Sequence, residues 1–145
     1  HVVIVGGGTG GLGVSAMLRN ENFQNVTVVE PKDVHYYQPL WTLVGGGVKQ
    51  VQDSQRPMKS VLPSGTEWVQ KKVAGFAPDE NQVELEDGTK LKYDYLVVAA
   101  GIQIDFDKVP GLVEGLEKED SGVVSIYDYK YADKTWKTFD DIKNK

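Results

Sequence analysis

HVVIVGGGTGGLGVSAMLRNENFQNVTVVE, residues His1 to Glu30, contains the pattern on which the rest of the chain depends. Val2 to Val5 is a β-branched apolar run of the length of a buried parallel strand. It leads directly into Gly6-Gly7-Gly8-Thr9-Gly10-Gly11 and then into a helical pattern, predicted to carry Leu12, Ala16 and Met17 on one face. A second strand follows at Val26 to Val29 and ends on Glu30. Strand, glycine turn, helix, strand and terminal acid, in that order, form the βαβ dinucleotide-binding fingerprint, with Gly6, Gly8 and Gly11 in its three glycine positions. A merely flexible glycine loop would not need the other four parts.

Each part has a mechanical role. Gly6 lets the chain turn out of the strand where a Cβ would clash. Gly8 allows close approach of backbone to a pyrophosphate, and Gly11 lets the helix pack on the strand. The free N–H groups and positive dipole end of the helix then face the phosphates, so no cationic side chain is required. Glu30, nineteen positions after Gly11, is placed to accept hydrogen bonds from a ribose diol. A carboxylate there repels a 2′-phosphate and argues against NADP.

The 145 residues leave room for one domain with a core, and 40% hydrophobic with 26% charged residues is an ordinary globular composition. No apolar run approaches the roughly 18 to 20 residues that span a bilayer. A net charge of −5, with the 16 Lys and Arg scattered, makes nucleic acid a poor partner. With no Cys, this stretch supplies no disulfide, thiol nucleophile or thiolate metal site. Strand residues begin at once after His1, and the chain reaches Lys145 in a charged tail, which reads as a piece of a longer protein.

Beyond Glu30, Pro31 stops strand pairing. Residues 31–47 read as a loop, with His35, Tyr36, Tyr37 and Trp41 around Gln38 and Pro39. Leaving the carboxyl end of the second strand, it lies at the ligand crevice of a doubly wound sheet, where aromatics and one amide suit a flat, hydrogen-bonding ring. Gly45 to Gly47 then permits close backbone approach or starts a further helix. Val48 to Leu62 is predicted as two short helical pieces broken by Pro57, with Val48, Val51, Gln55, Met58 and Leu62 on one face. Arg56 is read as solvated or ion-paired, and Pro63-Ser64-Gly65 as a turn.

Residues 66–95 read as an antiparallel β-meander. Glu67 to Val73 forms one strand, Pro78 to Asn81 turns, Val83 and Leu85 alternate inward, and Asp87-Gly88 makes a type I′ hairpin. Residues 96–101, L-V-V-A-A-G, read as a third parallel strand whose small-residue end lies close to a ligand. In the remainder, Pro110 to Leu112 is a turn and Val123 to Ile126 a short strand. Tyr129 to Lys143 is an amphipathic helix with Ala132, Trp136, Phe139 and Ile142 inward and lysines on a solvated face. The expected fold is a Rossmann-like α/β parallel sheet with helices and an inserted meander, incomplete as it stands, in one domain over 1–145. Two glycine-ended strands bracketing an aromatic loop and a meander favour FAD over NAD.

The run V-E-P-K-D-V-H-Y-Y-Q-P-L-W-T-L-V-G-G-G-V-K-Q (29–50), with R-P-M-K-S-V-L-P-S-G-T-E-W-V (56–69) and Y-D-Y-L-V-V-A-A-G-I-Q (93–103), resembles the amino-terminal part of eukaryotic mitochondrial sulfide:quinone oxidoreductases. These belong to the two-dinucleotide-binding flavoprotein disulfide reductases. The likeness extends to D-K-T-W-K at Asp133, and Ala99-Ala100-Gly101 has the form of the superfamily's A-T-G signature with Ala100 in place of Thr. The resemblance implies FAD held by Gly6, Gly8, Thr9, Gly10 and Gly11 at the pyrophosphate and by Glu30 at the adenosine ribose. It implies Gln38 touching the cofactor, Val73 presenting backbone groups to the adenine, and Ala100 and Gly101 lining the same cleft.

It further implies that hydrogen sulfide attacks a cysteine disulfide or trisulfide beside the flavin and leaves a persulfide. Electrons pass through FAD to ubiquinone, and the sulfane sulfur goes to glutathione or sulfite. The implied location is the mitochondrial inner membrane, with membrane contact through parts of the protein outside this sequence. The cysteines of that chemistry also lie outside this sequence, so no catalytic residue is expected within it. Two alternatives stay open: a related flavoprotein such as a type II NADH dehydrogenase, and a non-catalytic nucleotide-binding module.

Overall fold

The computed structural model describes residues 1–144, and the chain groups into two compact units rather than one body. The first comprises His1–His35 and Arg56–Gly101; the second comprises Tyr36–Gln55 and the chain from Ile102 onward. Lys145 lies outside the described residues. Among them, no helix is long and apolar enough to cross a membrane.

The elements run β1 (Val2–Val5), α1 (Thr9–Asn20), β2 (Val26–Val29), β3 (Val34–Tyr36), α2 (Leu40–Gly45), β4 (Gln55–Pro57), α3 (Met58–Val61), β5 (Glu67–Val69), β6 (Val73–Ala77), β7 (Gln82–Leu85), β8 (Lys90–Lys92), β9 (Tyr95–Val98), α4 (Leu112–Glu117) and α5 (Ala132–Lys143). In the first unit β5, β2, β1 and β9 form a parallel sheet in that order. β1 therefore sits between a partner reached through α1 and one reached much later in the chain. That arrangement is a topological switch point, where ligands bind outside the carboxyl ends of the strands.

Both faces of the sheet are covered, so β1 is apolar throughout and β2 departs only at Thr27, a buried residue whose hydroxyl donates to Glu67 Oε2 (2.8 Å). Val3, Val5 and Val29 turn to one side and pack with Val83 and Leu85 of the antiparallel β6-β7-β8 meander. Val2, Ile4, Val26 and Val28 turn to the other, where Val14 and Leu18 of α1 cover them. Each fully buried Val or Ile contributes roughly 1.5–3 kcal/mol, so the strand that aims the glycine turn is firmly anchored. The α1 face differs from expectation: Gly11, Leu12 and Ser15 are buried, whereas Met17 is 71% exposed. The sheet covers only a narrow stripe of the helix, and Met17 falls outside it.

The stretch Glu67 to Val73 is two strands. Glu67–Val69 joins the parallel sheet beside β2, and the chain turns before β6 opens the meander at Val73. Periodicity cannot separate them, because either sheet accepts the same apolar residues. The meander therefore spans 73–92 rather than 66–95, and the third parallel strand is Tyr95–Val98, ending before Ala99. The hairpin is not type I′. Gly88 alone of its central pair has positive φ (+82°); Gly88 N–H donates to Leu85 O (2.9 Å) and Leu85 N–H to Thr89 O (2.8 Å). The result is a three-residue loop, in which the glycine supplies the one left-handed position.

In the second unit α2 and α5 pack around Trp41, Val44, Val51 and Ala132, with Tyr36 and Tyr129 alongside. Residues 31–47 are thus largely ordered into β3 and α2, and Gly45 to Gly47 ends a helix rather than starting one. A Cβ on Gly47 (φ +73°) would lie 2.4 Å from the Trp136 ring, so the close-approach reading is the one realised. Val51, Ser54 and Met58 are the buried positions of residues 48–62, while Val48 is exposed. On α5 only Ala132 and Thr135 are buried; Trp136, Phe139 and Ile142 are 42%, 55% and 64% exposed. The helix has an apolar face, but the unit covers only its first turns. No strand forms at Val123–Ile126, and α4, unexpected from sequence, is a short helix that contains Gly115.

Candidate functional site

The glycine loop leaves β1 at the switch point. Gly6 has φ +106°, and a Cβ there would sit 2.3 Å from the Ala99 carbonyl oxygen and 3.0 Å from Ala100 Cα. The two small-residue strand ends thus meet in backbone-to-backbone contact, which only glycine permits at residue 6. A Cβ on Gly11 would lie 1.9 Å from Gly6 O, so α1 is seated directly on the turn.

The next residues open outward. Gly8, Thr9 and Gly10 are exposed, and a side chain on Gly8 would meet nothing within 4 Å. Gly8 stands at the N-cap of α1, in extended conformation; no side chain caps the helix, and its first turn carries no acid. A twelve-residue helix begun in this way presents amide donors and its positive dipole end toward the space above Gly8. Those are the requirements of a diphosphate, and the open volume at Gly8 is where its oxygens would approach.

Glu30 reaches this loop from the end of β2. Its Oε2 accepts the Gly7 N–H (2.8 Å) and its Oε1 the Lys32 N–H (2.9 Å). Its main chain is equally fixed: Glu30 N–H donates to Val69 O (3.1 Å), and the Trp68 indole N–H donates to Glu30 O (2.9 Å). Each carboxylate oxygen retains a further acceptor site, so the held carboxylate can still receive two hydroxyls, as a ribose diol requires. The residues present therefore fit the adenosine diphosphate end of a dinucleotide.

Two residues of this construction escape the sequence pattern. A Cβ on Gly7 would lie 2.8 Å from Glu30 Cβ and Cγ and 2.9 Å from Met58 Cε, so the second glycine is as constrained as the fingerprint ones. His35 is buried, with Nδ1 3.1 Å from the Gly7 carbonyl oxygen. Three consecutive glycines were a readable signal for Gly7. His35, set among aromatics, gave none.

Of the sequence candidates, Gly6, Gly8, Thr9, Gly10, Gly11, Glu30 and Ala100 come together around the loop in the first unit. Gly101 follows with φ +73° and is exposed. Val73 opens the first meander strand, rather than ending it; it pairs with Leu85 and its side chain packs against the core. Gln38 lies in the second unit, exposed, its carbonyl accepting the Trp41 N–H (2.9 Å) in the turn before α2.

Residues 1–138 match the family model described as pyridine nucleotide-disulphide oxidoreductase. The chain is 45% identical over 144 residues to the mitochondrial sulfide:quinone oxidoreductase of Dictyostelium discoideum and 43% identical over 144 residues to that of Mus musculus. These matches cover 98% and 99% of the chain but 31% and 32% of the relatives, so the chain spans about a third of their length. Among solved structures, the sulfide:quinone oxidoreductase of Aquifex aeolicus superposes with a TM-score of 0.69 at 27% identity, covering 99% of this chain and 32% of that one.

Proposed function

The chain belongs to the pyridine nucleotide-disulphide oxidoreductase family, and from that premise we propose that it is the FAD-binding part of a mitochondrial sulfide:quinone oxidoreductase. The observation that carries the reading is the Gly6–Gly11 loop: an uncapped helix start, open at Gly8, with the Glu30 carboxylate held beside it. The names of the relatives support sulfide and quinone as substrates and mitochondria as the compartment.

In this reading Gly6 and Gly11 hold the turn against Ala99–Ala100 and α1, while Gly8, Thr9 and Gly10 offer amides to the diphosphate. Glu30 accepts the adenosine ribose hydroxyls. Val73, Ala100 and Gly101 bound the adenine and diphosphate side, and Gln38 touches the cofactor from residues 31–47. Bound FAD would supply the two-electron acceptor between a sulfur-bearing thiolate and ubiquinone. This sequence has no cysteine, so the sulfur-handling thiols and the release of sulfane sulfur to glutathione or sulfite belong to the rest of the protein. The expected site of action is the inner membrane.

The test is the full-length protein, purified and assayed for bound flavin and for reduction of that flavin by sulfide or by NADH. Sulfide-dependent reduction passed on to a ubiquinone analogue is the expected result. Reduction by NADH alone would assign a type II NADH dehydrogenase, and a flavin-free protein would leave a nucleotide-binding module.

A further inference from the structure

We propose that His35 is a positioning residue for the diphosphate loop, an inference that rests on the FAD-binding reading above. Both polar groups of Gly7 are taken by side chains: its N–H by Glu30 Oε2 at 2.8 Å and its carbonyl by His35 Nδ1 at 3.1 Å. A carbonyl oxygen only accepts, so Nδ1 carries the proton and His35 is the donor. The ring is buried, at 9% exposure, where an unmade hydrogen bond would be costly.

The consequence follows from peptide geometry. A trans peptide is planar with its C=O and N–H on opposite sides, and the chain has no cis bonds. With the Gly7 carbonyl turned toward His35, the Gly8 N–H points the other way. Likewise, with the Gly7 N–H turned toward Glu30, the Gly6 carbonyl points away, and it lies where a Cβ on Gly11 would collide with it. His35 and Glu30 therefore fix two successive peptide planes in a stretch where glycine itself imposes little conformational preference. Glu30 is also the expected ribose acceptor, so the ribose and diphosphate subsites share one fixed residue, Gly7.

The experiment uses the full-length protein stripped of cofactor, with H35L, which removes the donor at similar volume, and H35N, which keeps an N–H near the position of Nδ1. Binding of FAD, ADP and adenosine is measured by titration. H35L is expected to weaken FAD and ADP about tenfold, the effect of one lost buried hydrogen bond. Adenosine, which lacks the phosphates, should change less than about twofold, and H35N should recover most of the loss. Equal weakening of ADP and adenosine, or lowered thermal stability with unchanged ADP affinity, would make His35 merely structural and overturn the proposal. Should H35L fail to fold, the imidazole tautomer of the wild-type protein decides by nitrogen NMR: a protonated Nδ1 supports the proposal and a bare Nδ1 refutes it. Wild-type protein that binds no FAD would instead sink the functional reading on which this one stands.

Discussion

Gly7 illustrates how tightly the loop is built. Of the two neighbours a Cβ would meet, the Met58 methyl is the end of a flexible chain and can swing aside, but Glu30 Cβ cannot move without displacing the end of β2. Gly7→Ala should therefore cost about 1–3 kcal/mol of stability, the usual range for overpacking, and reduce retained flavin with it. Thermal denaturation and flavin absorbance of the full-length variant check both, and an unchanged melting temperature would contradict the crowding. A residue remote from the loop tests the electrostatics. The Asp87 carboxylate is paired with Lys71 and accepts the Thr89 N–H, and these partners hold its pKa at about 2 against an ordinary 3.8. A value depressed in the folded state stabilises fully above the ordinary one and is lost as pH falls toward the folded one. The Asp87 contribution to the hairpin should thus fade between 3.8 and about 2, with the carboxyl resonance of Asp87 titrating at the lower end of that window. A midpoint near 3.8 would mean the Lys71 pair does not form in solution.

At the scale of elements, α4 depends on α5. The Lys134 ammonium donates among the carbonyls of Gly115 (2.8 Å), Leu116 (2.9 Å) and Lys118 (2.6 Å), with Ser121 Oγ sharing its third proton at 3.1 Å, closing the carboxyl end of a six-residue helix that contains a glycine. So short a helix has little stability of its own. Lys134→Met should cost about 1.5–3 kcal/mol, the range for hydrogen bonds to a charged donor, read by chemical denaturation. No loss would show that α4 stands without its cation. α4 and its cap were illegible in the sequence for the same reason: the stabilising group lies far along the chain. By contrast, β1, the glycine turn, α1 and β2 were legible because their signals are local and consecutive. Met17 and Trp136 were misplaced because helical periodicity reports an apolar face, not what stands opposite it. Glu67–Val69 was joined to Val73 because the choice between the parallel sheet and the meander is a tertiary one. Within the candidate site the pattern gave Gly6, Gly8, Gly11 and Glu30, which occupy fixed positions of a known fingerprint. It missed Gly7 and His35, whose constraint comes from other residues.

At the scale of the molecule, the sheet, the switch point between β1 and β9 and the doubly covered core converge on the mouth of the glycine turn. In the proposed function FAD is seated there by its diphosphate. Gly8 tests that seating with little effect on folding. Its φ of −72° and ψ of −175° are ordinary extended values that valine adopts readily, and its Cβ would meet no protein atom within 4 Å. The measurement is the FAD content and apo-state melting temperature of full-length Gly8→Val beside wild type. The expected result is a melting temperature for the cofactor-free variant lowered only by the small cost of valine at a helix N-cap, with flavin lost from the purified protein. A variant that folds and carries as much FAD as wild type would place the cofactor somewhere else.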